Sequence, residues 1–156
     1  MDPKKAIQWF KANFHDQIRT AIGGTPFSVD MISAVAYQET GYLWGKLINT
    51  LKVEELLPAC VGDTIDAPGR SAFPKTKAEL IAAASGKKMF TVARDALELI
   101  ARFDESYRKV ADRNPSKFCH GYGIFQYDLQ FYKEKSPLAG KPDPDFFLNS
   151  EMAQFR

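Results

Sequence analysis

Residues 34 to 45, AVAYQETGYLWG, set a carboxylate, Glu39, at the end of an apolar helical run and two residues before a glycine. Ile32, Val35 and Ala36 fall on one face of that helix. Glu39 follows Val35 by four positions and Ile32 by seven, which predicts that it shares their inward face. An ionised carboxylate on a buried face is costly unless paired, and the usual relief is a raised pKa that keeps the group protonated near neutrality. A protonated acid is a proton donor, and general acid catalysis is the chemistry it would serve. Two structural readings compete: a side chain at a helix end lying in water, and a salt bridge in the core.

The elements that must position Glu39 are predicted to be mostly helices. Asp2-Pro3 is a capping pair, after which Ile7, Phe10, Phe14, Ile18 and Ile22 recur at helical steps until Gly23-Gly24. Ser28 caps the helix that carries Glu39, and Gly41 is its expected C-terminal stop. Residues 42–57 are again apolar or helix-forming. Residues 58–74, with Pro58, Gly62, Pro68, Gly69 and Pro74, predict a long loop of the kind that tends to carry function. Thr76 to Glu79 forms a capping box opening a short helix through Ala84, and Val92 to Val110 predicts one long helix over 88–111, ended by Asn114-Pro115. A Gly-X-Gly turn at 121–123 then leads into helical spacing at Phe125, Leu129 and Tyr132. Residues 136–145 are a predicted loop, and Asp145 caps a last helix still running at Arg156, so we expect one domain over 1–156 excised from a longer chain. No strand alternation over four residues, internal repeat or low-complexity tract is evident.

Composition narrows the partners. The 156 residues carry 21 Lys+Arg against 19 Asp+Glu, a net +2 scattered along the chain, so no basic footprint for nucleic acid is expected. No apolar run is long enough to span a membrane, and MDPKKAIQWFKANFHDQ lacks the apolar stretch of a signal peptide. His15 and His120 do not form a ligand pattern, and neither a metal nor another cofactor is expected. Cys60 and Cys119 permit one disulfide or two buried free thiols.

Residues 120–128, HGYGIFQYD, lack the third glycine, the Lys-Ser/Thr pair and the preceding strand of a phosphate-binding loop. QETG at 38–41 followed by GYGIFQ at 121–126 instead resembles the lysozyme-like superfamily, nearest to goose-type lysozymes and soluble lytic transglycosylases. Asp128 also falls where the goose-type pattern tends to have Asp. The likeness covers about a dozen positions, and about 80 residues separate the motifs where the family usually has a few tens, a large insertion.

The resemblance implies a mainly α lysozyme-like domain that cleaves the β-1,4 glycan backbone of peptidoglycan or a related N-acetylated polysaccharide, by hydrolysis or intramolecular transglycosylation. It implies Glu39 as general acid at the floor of a cleft, and a secreted or periplasmic site of action; any inhibitor or immunity protein is left unspecified. Gly121, Tyr122, Gly123 and Gln126 would line the sugar cleft, with Tyr122 stacking on a ring, Gln126 bonding the N-acetylated sugar, and Ile124 and Phe125 turned to the core. Tyr42, with Trp44, is a further aromatic candidate beside Glu39. A second carboxylate, whose distance sets the stereochemical outcome, is sought among Asp63, Asp66, Asp112 and Asp128, with Asp63 first because a bridge from Cys60 to Cys119 would hold its loop against the cleft. The rival functions are a silent glycan-binding or interaction module on the same fold and a chitin or chitosan hydrolase.

Overall fold

In the computed structural model, which describes residues 2–63 and 70–133, the chain is mainly α-helical. The elements in order are α1 (Pro3–Ala21), α2 (Val29–Leu47), α3 (Val53–Ala59), β1 (Val61–Gly62), α4 (Lys77–Ala82), α5 (Gly86–Ile100), α6 (Glu105–Arg113), β2 (Gly121–Tyr122), β3 (Tyr127–Asp128) and α7 (Gln130–Lys133). Side-chain oxygens of Asp2, Ser28, Thr76 and Asp104 each accept a backbone N–H from the first turn of α1, α2, α4 and α6. Among the described residues no helix is long and apolar enough to cross a membrane.

Phe10, Phe14 and Ile18 of α1 bury against α2, where Trp44 is fully buried and stacks on Trp9 at a 5.7 Å centroid distance. The apolar face of α5, from Met89 through Ala93 and Leu97 to Ile100, packs against α3, α4, α6 and β1. Around this core the three strands form one antiparallel sheet in the order β1-β2-β3, with Val61 opposite Tyr122, Gly62 opposite Gly121, and Gly121 opposite Asp128.

Several boundaries differ from expectation, each for a local reason. α2 does not stop at Gly41. It continues to Leu47 with Gly41 buried inside it, where the Tyr37 ring occupies the space that a side chain would need. The predicted long helix over 88–111 is two helices, since residues 101–104 turn and Asp104 caps α6 anew. The predicted loop at 58–74 begins with Pro58 inside α3 and contains β1. The segment after the Gly-X-Gly turn is a β-hairpin followed by the short α7, not a helix over 123–132. Strands of two residues are too short to show alternation in sequence. α4 ends at Ala82 rather than Ala84, and its capping box is half formed: Thr76 accepts from the Glu79 N–H, whereas the Glu79 carboxylate accepts from Lys75. The expected last helix from Asp145 lies outside the described residues.

Arg94 of α5 fastens α6. Its guanidinium donates to the carbonyls of Ala111, Asn114 and Lys117 at 2.9, 2.9 and 3.2 Å, satisfying acceptors that a helix end leaves open, and pairs with Glu98 at 2.8 Å. We expect Arg94→Ala to lower unfolding free energy by about 2–3 kcal/mol in a denaturant titration, because bonds from a charged donor to partly buried carbonyls are lost together. A loss near that of an ordinary surface substitution would show that water replaces the guanidinium freely.

Candidate active site

The two motifs meet. Thr40, buried on α2 immediately after Glu39, donates its hydroxyl to the Ile124 carbonyl at 2.7 Å, across a sequence separation of 84 residues. That bond docks the turn of the β2–β3 hairpin against the middle of α2. Gly123 and Gln126 both take positive φ, +76° and +53°, which closes the four-residue turn, and the Gln126 N–H returns to the Gly123 carbonyl at 3.1 Å. Ile124 is fully buried and Phe125 sits edge-on to Phe10, so both point to the core.

Glu39 itself is placed differently from expectation. The buried face of α2 runs through Ser33, Ala36, Thr40, Leu43, Trp44 and Leu47. Val35, 46% exposed, and Glu39, also exposed, stand on the other side, so the expected buried floor is corrected to a surface position. The helix is apolar on both sides. Its outer side presents Met31, Val35 and Tyr42, all exposed, as a stripe in which Glu39 is set one turn from Val35 and from Tyr42.

The sheet holds Gln126 over a pair of glycines. A methyl on Gly121 would run into the Gln126 carboxamide, and one on Gly62 would lie 2.8 Å from Gln126 Oε1 and 3.3 Å from the Tyr107 hydroxyl. The carboxamide nitrogen donates to the Gly123 carbonyl at 2.9 Å. Tyr107 comes from α6, between the two motifs in the chain, and spacing gave no sign of it because it looks like one more apolar position of a helix. Its hydroxyl lies 3.2 Å from that of Tyr42. Burial, and then the bond to Tyr42, push the Tyr107 phenol above its ordinary range, so it stays a neutral O–H group.

The remaining candidates separate. Tyr122, expected to stack on a sugar, is 1% exposed and donates its hydroxyl to the Cys119 carbonyl at 2.8 Å; its ring is core and offers no face to a ligand. Trp44 is core as well. Asp63, half-exposed and at φ +53°, pairs with Arg70 at 2.7 Å, and the same guanidinium reaches both oxygens of Asp128 at 2.9 Å. Asp128 also accepts the Gln130 N–H at 2.8 Å. Asp112 is exposed on α6, and Asp66 lies outside the described residues. His120 is fully buried, with Nδ1 2.7 Å from the Asp63 carbonyl and Nε2 3.2 Å from that of Pro74; a neutral imidazole donates its single N–H to one of the two. Cys60 and Cys119 are buried free thiols whose pKa values burial raises, and the register that sets Val61 opposite Tyr122 carries Cys60 toward Gly123 rather than Cys119. Strand pairing, not a disulfide, ties this loop to the glycine turn. No group of three metal-ligating side chains occurs among the described residues. An open depression on the outer face of α1, lined by Asn13, Asp16, Gln17, Thr20 and Ala21, is built by one helix and is remote in sequence from both motifs.

A scan against protein-family models, a search of curated proteins and a search of solved structures each found no match to this chain.

Two substitutions probe this geometry. Thr40→Val keeps the shape but leaves the Ile124 carbonyl without its donor, and we expect a loss of about 1–3 kcal/mol in urea unfolding; a cost below about 0.5 kcal/mol would mean the bond does not hold the hairpin. Gly121→Ala meets only the end of a flexible side chain, so we expect a cost of about 1 kcal/mol or less together with displacement of the Gln126 carboxamide. The chemical shifts of that amide report the displacement, and unchanged shifts would refute it.

Proposed function

We propose that this chain is a lysozyme-like glycosidase or lytic transglycosylase that cleaves the β-1,4 glycan backbone of peptidoglycan, with Glu39 as general acid and Gln126 as a sugar-binding group. The observation that carries this reading is the Thr40–Ile124 hydrogen bond, which joins QETG and GYGIFQ although 84 residues separate the two. A resemblance limited to two short motifs gains weight when the motifs are also in contact. The small sheet adds support, since its glycine pair has the bareness needed to seat Gln126.

The exposure of Glu39 fits a donor that is covered by its substrate. A glycan strand laid along Met31, Val35 and Tyr42 would exclude water from the stripe, and loss of water favours the neutral acid that protonates a leaving oxygen. Asp63, through Oδ2, and Asp128, through both oxygens, share Arg70. That favours a reaction in which Glu39 manages the protons by itself, the nucleophile being water or a hydroxyl of the substrate.

Purified peptidoglycan sacculi test the proposal. The parent protein should clear their turbidity, and Glu39→Gln should slow clearance by about 10²- to 10⁴-fold while remaining folded. Mass spectrometry of the products then separates reducing ends, from hydrolysis, from anhydro ends, from transglycosylation. Equal rates for parent and Glu39→Gln would remove Glu39 from the chemistry. Sacculi bound but uncut would instead mark a glycan-binding module, and preferential cleavage of soluble chitosan would move the substrate class.

A further inference from the structure

We propose that the exposed apolar stripe of α2 is a twofold interface, on which a second copy of this chain lays the same stripe antiparallel. The pairing is argued from the stripe alone and does not depend on the glycan reading.

Met31, Val35, Gln38, Tyr42 and Lys46 recur at three- or four-residue steps on the side of α2 opposite its buried face, and all are exposed. Phe27, just ahead of the Ser28 cap, extends the row. Among the described residues five large apolar side chains are exposed, and four of them, Phe27, Met31, Val35 and Tyr42, fall in this row. Apolar surface gathered in this way marks a contact surface, and Met and aromatic side chains are the types enriched at the centres of protein interfaces.

The order of the residues indicates a second copy as the occupant. About a midpoint between Ala36 and Tyr37 the row is its own complement, with position 31 matched by 42, 35 by 38, 34 by 39 and 27 by 46. An antiparallel copy therefore brings Met31 to the partner's Tyr42 ring, Val35 to the stem of the partner's Gln38, and the Lys46 ammonium to the partner's Phe27. Twofold symmetry makes each of these contacts twice. The Lys46 side chain is exposed and 3.4 Å from Asp104, a surface pair weak enough to yield. Glu39 falls level with the partner's Ala34 on the rim, where its carboxylate keeps its water. A parallel copy would instead set Glu39 beside Glu39 and Lys46 beside Lys46.

One helical row from each copy makes a small interface, which belongs to the weak and reversible class. Where the glycan reading holds, partner and glycan compete for Met31, Val35 and Tyr42, and the paired form is the idle one.

The test needs no glycan. Sedimentation velocity of the parent over about a hundred-fold range of concentration should show reversible exchange between monomer and dimer. Val35→Lys, which sets a desolvated ammonium near its own copy across the axis, should weaken association about ten-fold or more. Phe103→Lys, at the exposed apolar residue outside the row, should leave association unchanged. Orientation is read by mild oxidation of mixed Met31→Cys and Tyr42→Cys proteins, which should crosslink to each other faster than either does to itself; Cys60 and Cys119 are buried. Crosslinking of the Met31→Cys protein mainly to itself would mark a parallel contact and overturn the proposal. Equal weakening by Phe103→Lys would do the same by placing the contact elsewhere. A parent that stays monomeric throughout, as it would if another segment of this chain or a different protein covered the stripe, would overturn it as well.

Discussion

The buried hydrogen bond from Thr40 to the Ile124 carbonyl is the constraint around which the candidate site is organised. It occurs in the interior, where a hydroxyl and a carbonyl left without each other would each be costly, so it specifies one docking of the hairpin on α2 rather than a range of them. From that docking follow the burial of Ile124, the contact of Phe125 with Phe10, and the outward emergence of Gln126 at positive φ. Glu39 precedes Thr40 in the helix. A residue facing inward to bond the hairpin thus fixes where its neighbour, facing outward, stands relative to it.

The second organising feature is the set of bonds that Arg70 and His120 make at the sheet. Arg70 joins Asp63, just after β1, to Asp128, at the end of β3, and thereby spans the outer strands of the sheet. His120 stands within hydrogen-bond distance of the carbonyls of both Asp63 and Pro74 and donates to one of them. Side chains with this many partners serve the positioning of backbone.

The α2 helix shows why amphipathic spacing was an incomplete guide. Both of its sides are apolar, and spacing alone cannot rank two such faces. The interior took the side with Ala36, Leu43, Trp44 and Leu47, because Trp44 fits against Trp9 and Phe10 of α1. Val35 and Glu39 were left on the outer side, exposed beside Met31 and Tyr42.

The mainly helical class and the capped starts at Ser28, Thr76 and Asp2 were legible in sequence, because caps and helical periodicity are local properties of the chain. Ile124 and Phe125 were correctly expected in the core. The continuation of α2 past Gly41 was not legible, since a glycine can stop or continue a helix and here the residues after it, Leu43, Trp44 and Leu47, are buried in the core. Tyr122 and Gln126 stand in one short motif, yet one is core and the other lies over the sheet, a division made by strand pairing and turn geometry. Tyr107 carried no signal at all. Its meeting with Tyr42, 65 residues away, exists only because α6 returns to the sheet, and contacts of that range are set by tertiary packing rather than by any local preference.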